Sequence, residues 1–133
     1  MEKLFNTISI IIGIVGGMLS YIFGAFDIML KVLVAIMIID YITGIIKAVY
    51  NKQLSSYIGW RGLLKKVATL CVVALAHLLQ LLLGDNVGIR DIVIMFYIAN
   101  EGLSVIENVS AVVPVIPDKL KDVLMQLRED NEK

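Results

Sequence analysis

Between residues 40 and 66 the chain reads DYITGIIKAVYNKQLSSYIGWRGLLKK, a short basic stretch with a long apolar run on either side. After Asp40 come Lys47, Lys52, Arg61, Lys65 and Lys66, and no acidic residue follows until Asp85. Short loops rich in Lys and Arg stay on the cytoplasmic side of a membrane when the flanking segments insert. This one stretch therefore sets the direction of its two neighbours and, through them, of the whole chain.

Composition points to the same solvent. Of 133 residues, 59% are hydrophobic, and the mean hydropathy is +0.86. Soluble domains hold about 45–50% apolar residues even with glycine counted. One domain of this size has too little interior to hide the excess, which must face lipid. The formal net charge is zero, which argues against a nucleic-acid partner. Where the charges sit carries the information, not their sum.

Residues 4–26 carry no charge and exceed the ~20 residues that cross a bilayer as a helix. A cleaved signal peptide would need a more basic start than Glu2-Lys3, a shorter apolar core and a clear small-residue cleavage site. Within this run Ser9, Gly13, Gly17, Ser20 and Gly24 recur at spacings of three and four. They form one stripe on a helix, the kind that lets a second backbone approach closely in lipid. Gly13, Gly17, Ser20 and Gly24 are thus the candidate packing face between copies of the chain.

The second run, 28–50, follows Asp27, a candidate N-cap, with Lys31 near its outer end. Asp40, Thr43, Gly44 and Lys47 share one face of it. An acid at this depth is expensive unless it faces protein, water or an opposite charge. Thr43 can satisfy Asp40 locally, whereas Lys47 lies two turns away. Residues 51–62 read as the cytoplasmic loop, with Ser55 and Ser56 as candidate caps, Gly59 and Gly62 loosening the backbone, and Tyr57 and Trp60 at headgroup level.

A third run, 63–84, is anchored at its inner end by Lys65 and Lys66. His77 and Gln80 lie one turn apart inside it and are read as interhelical hydrogen-bonding groups. With no second histidine, a histidine metal site is excluded within one chain. The turn cluster at 84–88 belongs outside. The fourth run, 89–109, differs in character, because Tyr97, Asn100, Glu101, Ser104, Glu107 and Asn108 form a polar stripe. That stripe either packs against Asp40 and His77, or lines water when chains assemble, or marks a helix lying in the interface. Spanning is the reading adopted. Residues 111–133 hold a hinge with Pro114 and Pro117, then a short amphipathic helix with Leu120, Val123, Leu124 and Leu127 on one side. This tail is expected in the cytoplasm, against the membrane surface.

The expected fold is therefore all-α: an integral membrane domain of about four transmembrane helices in residues 1–110, followed by a hinge and tail. With both ends inside, only Lys31 and Arg90 of the 12 Lys and Arg fall on the outer side, a strong positive-inside bias. The expected location is a bacterial cytoplasmic membrane.

The residues Asp40, Thr43 and Gly44 (DYITG), then Ser55, Ser56, Gly59, Gly62, Lys65 and Lys66 (LSSYIGWRGLLKK), continued by AHLLQ at 76–80, resemble the core of the phage-lysis and toxin-secretion holins, holin family 4. The likeness covers roughly residues 35–110. It implies a protein that oligomerises in the cytoplasmic membrane and opens lesions. Through these a murein hydrolase or a toxin leaves, as a functional partner not necessarily in direct contact.

The residues themselves offer no nucleophile beside a base and no cofactor loop, so neither an enzyme nor a bound cofactor is expected. Cys71 is the only cysteine and reads as a packing residue. Two alternatives stay open: a small transporter or channel subunit, and an antiholin-type regulator. Against the first, small multidrug exporters resemble one another through an acid in the first span, and here the acid sits in the second.

Overall fold

Each helix starts and stops where local chemistry changes. In the computed structural model, which describes residues 1–132, α1 runs Glu2–Phe23, α2 Ile28–Tyr50, α3 Ser56–Leu83, α4 Ile89–Ser110 and α5 Asp118–Glu132. A 3-10 turn, Asp85–Val87, precedes α4. No strand occurs among the described residues. Lys133, one of the ten basic residues expected on the inner side, lies outside them.

Asp27 caps α2, its carboxylate accepting from the Leu30 amide at 3.0 Å. Ser55 does the same for α3, accepting from the Ile58 amide at 3.2 Å. Such caps satisfy amides that a helix leaves unpaired at its start. The caps also explain a difference from the expected boundaries. The loop of residues 51–62 is shorter than its composition suggests, and α3 begins at Ser56 rather than at 63. Gly59 and Gly62 lie inside that helix, where Tyr41 of α2 rests against them: a Cβ on Gly62 would stand 3.3 Å from the Tyr41 ring.

Four helices are long and apolar enough to cross a membrane, α1, α2, α3 and α4 with its preceding turn. They alternate in direction. The α1–α2 and α3–α4 turns gather at one end, where Arg90 reaches back to Phe23 and Ala25. The α2–α3 loop and the end of α4 lie at the other.

The buried core is small, and α2, α3 and α4 build it. Leu33, Val73 and Ile94 are fully buried, with Leu30, Met37 and Ile98 around them. Most other large apolar side chains are exposed, among them Ile38, Leu75 and Leu82. Exposure on this scale would be an aggregation liability in water and is the expected state against lipid tails. Cys71, read as a packing residue, is exposed on α3. α1 buries no residue at all and packs only loosely on α3.

α5 folds back along α4. Gly102 is buried there, and a Cβ on it would meet Leu124 Cδ2 at 2.7 Å. The tail is docked on the bundle, because Gly102 opens a notch in α4 that the leucine side of α5 can enter.

Candidate functional site: a buried charge cluster and its cleft

Helical spacing turns the acids of α2 and α4 toward each other, and α3 supplies the cation between them. Lys66 Nζ pairs with both Asp40 Oδ2 and Glu101 Oε2. All three side chains are largely shielded, with 14%, 12% and 13% of their surface exposed. Asn108 of α4 donates from Nδ2 to Asp40 Oδ1 at 3.0 Å, to the Asp40 carbonyl at 3.2 Å and to Thr43 Oγ1 at 3.2 Å. Three helices thus meet at one polar junction. Two carboxylates share a single lysine, so the junction carries an excess of negative charge when both are ionised.

Several expectations change here. Thr43 does not satisfy the Asp40 carboxylate: its hydroxyl donates to the backbone, 2.9 Å from the Ile39 carbonyl. Lys47 is not the partner of Asp40 either. Lys66, about 15 Å along α3 from its start at the usual rise per residue, is instead the cation between the two carboxylates. Of the polar stripe on α4, Glu101 and Asn108 join the junction, and Ser104 lines the space beside it. Asn100 is half-buried, and Tyr97 packs against the apolar core. Glu107 faces the other way, toward Lys121 and Arg128 of α5.

A cleft of about 460 Å3 opens beside the junction toward the α2–α3 loop. Asp40, Lys66 and Glu101 line it together with Gly44, Lys47 and Lys65. Lys52 and Arg61, counted in the same basic loop, are exposed and lie outside it.

A second polar centre sits at the opposite end. Arg90 is 5% exposed. Its Nε donates to the Phe23 carbonyl at 2.8 Å, Nη2 to the Ala25 carbonyl at 2.9 Å, and Nη1 to Asp27 Oδ2 at 2.9 Å. The guanidinium thereby ties the α1–α2 turn to the start of α4. Its hydrogen bond holds the Asp27 carboxyl below the usual carboxylate range, against the opposing effect of burial. Gln80 Oε1 accepts from the Arg90 amide at 3.0 Å, and so makes the interhelical bond expected of it. His77 does not: its Nδ1 is buried without a partner among the described residues.

Gly24 also belongs to this centre and not to the stripe on α1. It lies past the helix end with φ +78°, and a Cβ would stand 2.9 Å from Arg90 Nε and 3.0 Å from the His77 ring. Gly13 and Gly17 have nothing within 4 Å, and Ser20 borders an apolar groove of about 400 Å3 between α1 and α2. Arg90 was invisible to sequence reasoning because its partners lie more than 60 residues away. Its one local signal is a charged residue opening an otherwise apolar run.

Comparison with known proteins adds an independent line. Residues 17–129 match the model of the bacteriophage holin family. A probable holin of Bacillus phage phi105 is 35% identical, with 85% of this chain and 83% of that protein covered. Uncharacterized proteins of Clostridium perfringens and Listeria monocytogenes are 42% and 40% identical. The alignments cover 96% and 89% of this chain, and 97% and 87% of those proteins. No solved structure matches the chain.

Proposed function

The chain belongs to the bacteriophage holin family, and from that premise we propose that it acts as a holin, a multi-pass protein of the cytoplasmic membrane that self-associates until the barrier fails. The lesions then release a murein hydrolase, or in some settings a toxin. No chemistry is asked of the chain. The work is done by changing which neighbours its polar and small-residue faces have.

The observation that carries the reading is the three-helix junction of Asp40, Lys66 and Glu101 in a chain of this family. Charged groups inside a membrane mark function more often than stability, because they cost energy wherever they lack partners or water. In a single copy the junction is closed by its own members. When copies assemble, the stripe through Glu101, Ser104 and Asn108 turns from neighbouring helices to water. Water then solvates the junction and lowers the cost of separating α2, α3 and α4. Movement of these charges across the membrane field would couple opening to the membrane potential, at ~2.3 kcal/mol per charge per 100 mV.

In this reading the α2–α3 loop and both termini face the cytoplasm. The supporting observation is the distribution of basic residues, which are concentrated at the loop end of the bundle.

The test is inducible co-expression with a murein hydrolase that has no export signal. Abrupt lysis, releasing the hydrolase after a defined delay, is the expected result. Aspartate-to-asparagine or glutamate-to-glutamine exchange at Asp40 or Glu101 should shift the delay. Continued growth at high abundance, with altered drug tolerance, would instead point to a transporter. Delayed lysis of cells that also make an active holin would point to an antiholin.

A further inference from the structure

The cleft beside the junction has the features of a binding site that the lesion-forming role does not use. Its floor is internally hydrogen-bonded, with Lys66 on the two carboxylates and Asn108 on Asp40, and the one negative charge left over there is outweighed by the two lysines of the rim. Its rim is not. Lys47 from the end of α2 and Lys65 from α3 both line it, and neither forms an ion pair among the described residues. Asn51 and Gln53 of the short loop line the same rim and add amide donors. Ile45, Ala48 and Ile58 make part of its wall apolar.

We propose that this cleft binds the phosphate headgroup of an anionic phospholipid. Lys47 lies in the last turn of α2, and Lys65 lines the cleft with it and with the α2–α3 loop residues Asn51 and Gln53, toward the end of the bundle where phosphodiesters lie. Two unpaired cations with two amides match a phosphate in charge and in hydrogen-bonding capacity. The apolar wall distinguishes the lipid from free phosphate, because glycerol and the first acyl carbons would lie against it. A headgroup seated there covers the mouth of the junction and keeps water from Lys66. Assigning the lipid to the inner leaflet rests on the orientation proposed above; the site itself does not.

Trp60 is the only tryptophan and lies on α3 beside the cleft-lining Gly59. Its fluorescence therefore reports which lipid is held near the start of α3. The purified full chain is reconstituted in phosphatidylcholine vesicles containing equal fractions of either brominated phosphatidylglycerol or brominated phosphatidylcholine. Brominated phosphatidylglycerol should quench Trp60 more strongly. K47Q/K65Q should lower the relative binding constant by roughly thirty-fold, and K47R/K65R should restore it. K52Q/R61Q removes the same charge from the same end outside the cleft and should keep the preference. Circular dichroism confirms that each variant remains helical. Equal quenching by the two lipids overturns the proposal. So does equal loss in K52Q/R61Q, which means diffuse surface attraction. Displacement by inorganic phosphate at constant ionic strength overturns it too, because the ligand is then the free anion. None of these readouts depends on lysis, so the site and the holin reading fail separately.

Discussion

Lys66 is held between carboxylates from two other helices, so removing it strands both. Breaking a buried ion pair by deleting one member costs about 3–5 kcal/mol, whereas replacing the whole group by uncharged residues is often nearly neutral. K66M should therefore be strongly destabilised in detergent micelles, and D40N/K66M/E101Q should recover most of the loss in thermal unfolding. Equal stability of K66M and the native chain would remove the junction from any account of the fold. At the other end, Asp27 carries a lowered carboxyl pKa through its bond from Arg90. A depressed pKa stabilises the folded state above the ordinary value of 3.8, and that contribution is lost as pH falls through the lower folded value. The Asp27 side chain is 39% exposed, so the effect is local and modest. Amide exchange around residues 24–30 should accelerate on acidification below the ordinary carboxylate range, and D27N should exchange fast at every pH. Sequence alone marked Asp40 and Glu101, because an acid in an apolar run stands out. It could not pair them with Lys66, since that pairing depends on the register of a third helix.

Register is where the elements departed most from what the sequence suggested. Glycines at 59 and 62 read as loop residues because each costs a helix about 1 kcal/mol relative to alanine. The cap at Ser55 and the close approach of Tyr41 outweigh that cost, and the resulting helix draws Lys66 inward. The other elements were plain from the uncharged runs and the turn at 84–88, whose length and polarity leave little choice of fold. The docking of α5 was not plain, because an amphipathic stripe tells nothing of what covers it. Gly102 supplies the missing half, and it argues for a specific test. A side chain at 102 must displace Leu124, and overpacking of this kind costs about 1–3 kcal/mol. G102V should release α5 while leaving the four spans folded. Spin labels at Ser110 and Gln126, in a C71S background, should move apart and show a broader distance distribution. An unchanged distance would mean that α5 is held by something other than the notch.

At the scale of the whole molecule, α1 is the helix the bundle does not use. Every side chain on it is at least partly exposed, and it touches the rest mainly near Phe23 and Gly24. In lipid there is no hydrophobic gain from hiding it, so only close packing, hydrogen bonding or lipid entropy can recruit a partner. Gly13 and Gly17 offer that closeness, with nothing within 4 Å of either, and Ser20 continues the face toward the groove between α1 and α2. Lesion formation by self-association therefore predicts that α1 meets α1, or the groove, of another copy along this stripe. In a C71S background, single cysteines at 13, 17 and 20 should form disulfide-linked dimers in membranes under mild oxidation. Cysteines at 11 and 15, turned to the far side by the 100° step of the helix, should form few. G17L should lengthen the delay before lysis without lowering membrane abundance, because a leucine there keeps the helix but holds the backbones apart. Dimers forming equally at all five positions would mean random collision. Lysis timing unchanged by G17L would move the assembly interface elsewhere, to α4 and its polar stripe.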